Sequence, residues 1–122
     1  MKACVICTLL ILNIGLLKAQ QKKVSVVKIA TPEALCNDCK QRIELYLKYE
    51  DGVAKVVVYP NLKYTMVTFL NDRTDIEIIK TAIANCGYDA DDITADSSAY
   101  AKLPATCKKL IDGGHKRKYY LN

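Results

Sequence analysis

Apolar residues alternate with polar ones in three stretches, and each stretch predicts a strand. The first covers residues 23–30 and is rich in valine and isoleucine; Thr31-Pro32 ends it because proline donates no ladder hydrogen bond. Residues 53–59 and 64–70 predict two more strands, joined by the short connection 60–63 as a hairpin. The residues of the second strand expected on one face are Ala54, Val56 and Val58.

Apolar residues recur at helical spacing after the first predicted strand and again after the third. Cys39, Ile43 and Leu47 recur at i, i+4 and i+8, which predicts an amphipathic helix that starts after a loop over residues 33–37 and reaches about Tyr49. The side chains expected to cap or open this helix are Asn37 and Asp38.

The second helix has an apolar stripe, a start signal and a stop signal. Thr74 or Asp75 is expected to cap it, and Gly87 is expected to end it in a left-handed conformation. The stripe follows i, i+3, i+7 and i+10 and consists of Ile76, Ile79, Ile83 and Cys86. The sequence therefore predicts that this helix buries one face.

The element order defines the fold class. Residues 88–94 predict a short, weaker fourth strand, so the order is strand, helix, strand, strand, helix, strand. This is an α+β, ferredoxin-like βαββαβ sandwich, with a four-stranded antiparallel sheet and both helices on one face. Residues 96–122 form a C-terminal extension, with a short helix from Ser97 that Pro104 breaks and loose chain from Gly113.

The first 19 residues have the layout of a secretory signal peptide. A basic start precedes an apolar run, and cleavage is expected after Ala19. The run is too short to span a membrane comfortably, although an uncleaved anchor is the alternative. We therefore expect residues 1–19 to be a signal peptide, residues 23–95 to be the domain, and the protein to be periplasmic or secreted, with no stable membrane insertion after signal removal.

Charge and cysteine count narrow the function. Residues 20–122 carry 16 Lys and Arg against 13 Asp and Glu, a surplus too small to indicate nucleic-acid binding. They also keep four cysteines, and an even number in an exported protein usually indicates disulfides. A bridge between Cys36 and Cys39 would close almost no loop, whereas one between Cys86 and Cys107 stays open as an alternative.

Cys36 and Cys39 are the main candidate site. Two cysteines separated by two residues converge only where the backbone turns, as it does where a loop enters a helix. The first thiol is expected to face outward from the loop, and the positive helix start is expected to lower the pKa of both thiols. Such a pair binds a soft metal ion or exchanges disulfides. Ligand softness favours copper(I) or mercury(II), with zinc or cadmium if more ligands join.

The motifs around this pair resemble the heavy-metal-associated domain family, which includes copper chaperones and mercury-binding carriers. The matching pieces are a cysteine loop opening helix one, Gly52-Val53 after that helix, and Gly87-Tyr88 after helix two. The resemblance covers residues 23–93 and implies a monomeric carrier that passes its ion to a membrane transporter, an efflux system or a P-type ATPase. One departure is Glu33-Ala34, where the family often has Gly-Met.

Other residues are weighed as accessory ligands. The resemblance implies that Tyr88 shields the metal loop, although a half-buried tyrosine opening a strand explains it equally well. Cys86 is expected to be a buried small hydrophobic residue and, as the alternative, a third ligand. Cys107 is either a ligand on a tail that folds back or a free or bridged thiol. His115 is expected to be solvated, and Asp38 to be a first-turn helix acid.

Two other functions compete with the carrier. A thiol–disulfide oxidoreductase uses a similar cysteine pair, but its longer βαβ layout is not visible in this sequence. A disulfide-stabilised interaction module would dock through the exposed sheet face, formed by Lys55, Val57, Tyr59, Tyr64 and Met66. With one histidine, no Ser-His-Asp set and no glycine-rich phosphate loop, the sequence gives no other indication of an enzyme.

Overall fold

The structure is a computed structural model that describes residues 23–115. Strands β1 (Val24–Ala30), β2 (Val53–Tyr59) and β3 (Tyr64–Leu70) form an antiparallel sheet in the order β1-β3-β2. The predicted signal segment, residues 1–19, lies outside the described residues.

Two longer helices follow the predicted order. Helix α1 covers Asn37–Lys48 and α2 covers Ile76–Asn85, and a short α3 covers Ser97–Ala101. Single 3-10 turns occupy Pro60–Leu62, Ala105–Cys107 and Leu110–Asp112. Within residues 23–115, every helix is too short or too polar to cross a membrane.

Both long helices pack on the sheet in one hydrophobic core. The predicted stripe of α1 is buried, since Cys39, Ile43 and Leu47 have no exposed surface. From α2, Ile79 and Ile83 join the same core. Asp75 caps α2 as predicted, because its Oδ1 accepts a hydrogen bond of 2.9 Å from the N–H of Ile78. The two helices and the hairpin are therefore confirmed.

The inward face of β2 differs from the prediction at one position. The register against β3 shifts between Val53 and Lys55, which places an additional residue, Ala54, in a bulge. Ala54 is exposed, whereas Val53 and Val56 pack against the core. Strict alternation predicted Ala54 inward because sequence periodicity does not reveal a bulge.

The predicted fourth strand over residues 88–94 is absent from the described part of the chain. The segment makes one isolated bridge, between Ala90 and Ile93. Asp91 has a left-handed backbone (φ 50°), and it meets the end of β1 through two hydrogen bonds to Ala30, of 2.6 and 2.9 Å. Aspartates are poor strand formers, and this segment makes one backbone and one side-chain hydrogen bond to the end of β1 instead of a ladder.

A buried lysine holds the same segment against α2. Lys80 is only 8% exposed, and its Nζ lies 3.1 Å from Asp92 and 3.6 Å from Asp91. A buried charge is tolerated only when it is paired. The aspartates of residues 88–94 therefore serve as anchors, which explains why the segment turns instead of extending.

The C-terminal extension packs on the domain through Leu103, which is 7% exposed and belongs to the core. Gly114 and His115 are also buried, which corrects the expectation of loose chain from Gly113 for these two residues. The N–H of His115 donates to the carbonyl of Thr106 at 3.1 Å. The extension thus folds back on itself at its last described residue.

Candidate metal centre

The cysteine loop ends at the first turn of α1, and Cys36 itself is the N-cap. Its backbone is extended (φ −134°), and its Sγ accepts a hydrogen bond from the N–H of Cys39 at 3.4 Å. This corrects the expectation that Asn37 or Asp38 would cap the helix. Asp38 lies in the first turn, as predicted, and is exposed. Cys36 therefore has two roles, as cap and as candidate ligand.

Three sulfur atoms converge at this point. The Sγ atoms of Cys36 and Cys39 are 2.9 Å apart, and the Sγ atom of Cys107 is 4.0 Å from that of Cys36. All three sulfurs lie within 4.8 Å of one another. We call Cys36, Cys39 and Cys107 the thiol cluster. The structure thus brings the tail cysteine to the predicted pair.

Cys86 lies elsewhere. Its thiol donates to the carbonyl oxygen of Arg42 at 3.7 Å, and burial raises its pKa to about 11. Cys86 and Cys107 are both free cysteines, so the bridge considered between them is absent. Cys86 behaves as a small, partly buried hydrophobic side chain on α2.

His115 reaches the cluster, contrary to the expectation of a solvated residue. Its imidazole Nε2 lies 4.0 Å from Cys39 Sγ, and the residue is 1% exposed. Nothing in the sequence predicts this, because the contact depends on how the extension packs. The pair Gly113-Gly114 before it is the one local signal, since glycines permit the close turn that returns the chain.

Tyr88 is fully buried beside the cluster, not half-buried. Its exposed fraction is 1%, and its hydroxyl makes no hydrogen bond of normal length with the residues described. Burial raises the pKa of Tyr88, and the neighbouring Cys39 thiol raises it further. Tyr88 therefore covers the inner side of the cluster with an aromatic ring and one polar atom.

The pKa values of the paired thiols are raised, not lowered as the sequence indicated. Burial is the largest cause for both Cys36 and Cys39. The hydrogen bonds from Cys39 lower the pKa of Cys36, but they are outweighed. Desolvation opposes the thiolate more strongly than the start of α1 favours it. The apo pair is thus protonated at neutral pH, and a metal ion must displace these protons to bind.

The cluster is open on one side only. Cys39 and Cys107 are 0% and 1% exposed, whereas Cys36 is partly exposed. Cys36 borders a cleft of about 250 Å³ between the start of α1 and the turn at Pro60 and Asn61. Cys36 is therefore the member of the thiol cluster that borders the cleft.

Alkylation of the apo protein is expected to follow this exposure. At pH 7, iodoacetamide should modify Cys36 at least about tenfold faster than Cys39, because only Cys36 borders the cleft and thiolates are the reactive form. Since burial raises the pKa of Cys36, its rate should still be climbing steeply with pH between pH 7 and 9. Peptide mass spectrometry measures both rates. In denaturant the two should become equal, and equal rates in the native protein would contradict the sealed position of Cys39.

Comparison with known proteins finds the same fold in metal-binding proteins. No family model and no curated protein matches the sequence. Among solved structures, oxidized MerP from Ralstonia metallidurans CH34 matches at 25% identity and TM-score 0.53, over 56% of this chain and 94% of that chain. The CopZ metallochaperone matches at 26% identity and TM-score 0.52, over 54% and 98% of the two chains.

A third match is the mercury-bound form of MerP, described as the periplasmic protein of the bacterial mercury detoxification system. It is 26% identical, with TM-score 0.50, over 57% of this chain and 96% of that chain. Copper-binding domains of P-type ATPases share the fold at 22% and 23% identity, with TM-scores of 0.53. The chain therefore matches MerP and CopZ across nearly their full length, and the resemblance to heavy-metal-associated domains that the motifs predicted is confirmed.

Proposed function

We propose that the protein is an exported carrier that captures a soft metal ion, copper(I) or mercury(II), through Cys36 and Cys39 and passes it on. The observation that carries this proposal is the convergence of two thiols, 2.9 Å apart, at the start of a helix beside an open cleft. Thiolates are the ligands that soft, low-coordinate ions prefer. The site needs no catalytic group to do this.

Transfer follows from the unequal exposure of the two ligands. An incoming thiolate enters through the cleft, binds the ion and displaces Cys36, which is the ligand nearest the solvent. Cys39 holds the ion until a second incoming thiolate replaces it. The ion is never released into water, because each new metal–sulfur bond forms before an old one breaks.

Acceptor and compartment belong to the same proposal. The solved copper-binding domains of P-type ATPases share this fold, which supports a membrane transporter or P-type ATPase as acceptor. The signal-like residues 1–19 and the periplasmic location of the mercury-bound MerP support export. We further propose that the protein is a monomer and not an enzyme.

Metal content tests the proposal directly. Protein purified anaerobically from cells supplemented with copper or mercury is expected to hold about one ion per chain, measured by elemental analysis. Addition of a dithiol chelator should remove the ion rapidly, because the cleft admits the competing thiolates. Metal-free protein under both conditions, or robust turnover in an insulin-reduction assay, would contradict the carrier function.

A further inference from the structure

We propose that Cys107 and His115 of the C-terminal extension complete a four-donor site with Cys36 and Cys39, so that the protein holds zinc in a closed tetrahedral shell. The inference rests on the proposed function in one respect, namely that the cysteine pair binds metal. It adds two ligands and a second ion class to that pair. A two-thiolate site suits transfer, whereas a Cys3His set is characteristic of zinc that is retained.

Two of the distances between donor atoms are near those of a tetrahedral site. With zinc–sulfur bonds of about 2.3 Å, the sulfur atoms of such a site are about 3.8 Å apart. Cys107 Sγ is 4.0 Å from Cys36 Sγ, and His115 Nε2 is 4.0 Å from Cys39 Sγ. The 2.9 Å contact between the paired sulfurs must widen by about 1 Å, which a small χ1 rotation of the partly exposed Cys36 accomplishes. The His115 imidazole must also move toward Cys36 and Cys107 when an ion binds, because only the three sulfurs lie within 4.8 Å of one another.

The extension is built to hold its two donors in this place. The Tyr100 hydroxyl donates to Asp112 and accepts from the N–H of Lys109 at 2.9 Å. The Lys109 ammonium pairs with Asp89 at 3.1 Å, which ties the extension to the segment after α2. These contacts lie on both sides of residue 107, so the donors are not on a free tail.

The backbone at Gly114 and His115 has a conformation that brings the imidazole close to Cys39. His115 has a left-handed conformation (φ 48°), which is uncommon outside glycine and costs free energy. A Cβ at Gly114 would lie 1.8 Å from the carbonyl oxygen of Lys108, so only glycine fits there. Gly114 and His115 thus combine close packing with a strained backbone, and together they direct the imidazole toward the Cys39 sulfur.

Burial distinguishes this arrangement from an incidental contact. Cys39, Cys107 and His115 are all at most 1% exposed, and the buried Tyr88 lies close to Cys39 and Cys107. Closed zinc sites use four protein ligands, whereas open sites leave a position to solvent. With four donors, the site can complete the shell of a tetrahedral divalent ion, in addition to the two-thiolate binding of a soft ion by Cys36 and Cys39.

Cobalt(II) substitution and zinc competition test the inference on the reduced protein. The wild type is expected to give the intense visible bands of tetrahedral cobalt and sulfur-to-cobalt charge transfer. Cys107→Ser and His115→Ala should each weaken zinc binding at least about 100-fold, about 2.8 kcal/mol. The matched control Cys86→Ser, outside the cluster, should leave zinc binding and the cobalt spectrum unchanged.

Copper(I) titration of the same variants separates the two proposals. Cys107→Ser and His115→Ala should keep copper(I) binding within about tenfold of wild type, which also shows that they fold. Zinc affinities equal to wild type in both variants, or an octahedral cobalt spectrum, would overturn the four-donor site and leave the carrier standing. Failure of the wild type to bind copper(I), mercury(II) or zinc would overturn both.

Discussion

Replacing Cys36 and Cys39 together by serine is expected to abolish near-stoichiometric binding of copper(I) and mercury(II). Among the described residues, these two thiols form the closest pair of sulfur atoms, 2.9 Å apart. A hydroxyl is a poor ligand for soft ions, so the affinity should fall more than about 1,000-fold, or about 4 kcal/mol. Competition with a chromophoric chelator under anaerobic conditions measures this loss.

Cys86→Ser is the matched control for this double substitution. Cys86 is also partly buried, but its thiol faces the Arg42 carbonyl and not the thiol cluster. Its replacement should leave both affinities unchanged, which separates the loss of a ligand from the loss of any cysteine. Tight binding that survives in the Cys36→Ser/Cys39→Ser protein would place the site at other residues.

Leu47→Ala is expected to lower the free energy of unfolding by about 2–5 kcal/mol. Leu47 has no exposed surface and lies two turns after Cys39 on the buried stripe of α1. Truncation removes its apolar contacts and leaves a cavity between α1 and the sheet. Chemical denaturation of the reduced apo protein, followed by circular dichroism, measures the change.

Leu45→Ala is the control on the same helix. Leu45 is 60% exposed, so the same truncation should change stability by less than about 0.5 kcal/mol. Alanine also has the higher helix propensity, which offsets part of any loss. Equal destabilisation by the two variants would show that the stripe through Cys39 is not the packed face.

The main elements were predictable because their signals are local. Cys39, Ile43 and Leu47 identify α1 by spacing alone, and Asp75 and Gly87 mark both ends of α2. The cysteine pair was predictable for the same reason, since its two residues are close in sequence and the loop enters a helix. Periodicity and capping residues suffice where the determining contacts lie within a few positions.

The remaining features depend on contacts between distant residues. The bulge at Ala54 is set by pairing with β3, and the turn over residues 88–94 is set by Lys80 and Ala30. The raised pKa values of Cys36 and Cys39 result from burial, which their sequence neighbours do not reveal. His115 reaches Cys39 only because residues 96–115 pack back on the domain, and Gly113-Gly114 is the one local signal of that return.

The paired thiols are unequally buried, since Cys39 has no exposed surface and Cys36 is partly exposed. A partner can approach the thiol cluster only on the Cys36 side, where the gap lies between the first turn of α1 and the Pro60–Leu62 turn. If the protein passes its ion to an acceptor, as we propose, that acceptor has to present its own ligands on a protruding loop slim enough to enter this gap. A flat docking face would stop short of Cys39, so for the proposed carrier the shape of the gap would select among acceptors before any new metal–sulfur bond forms.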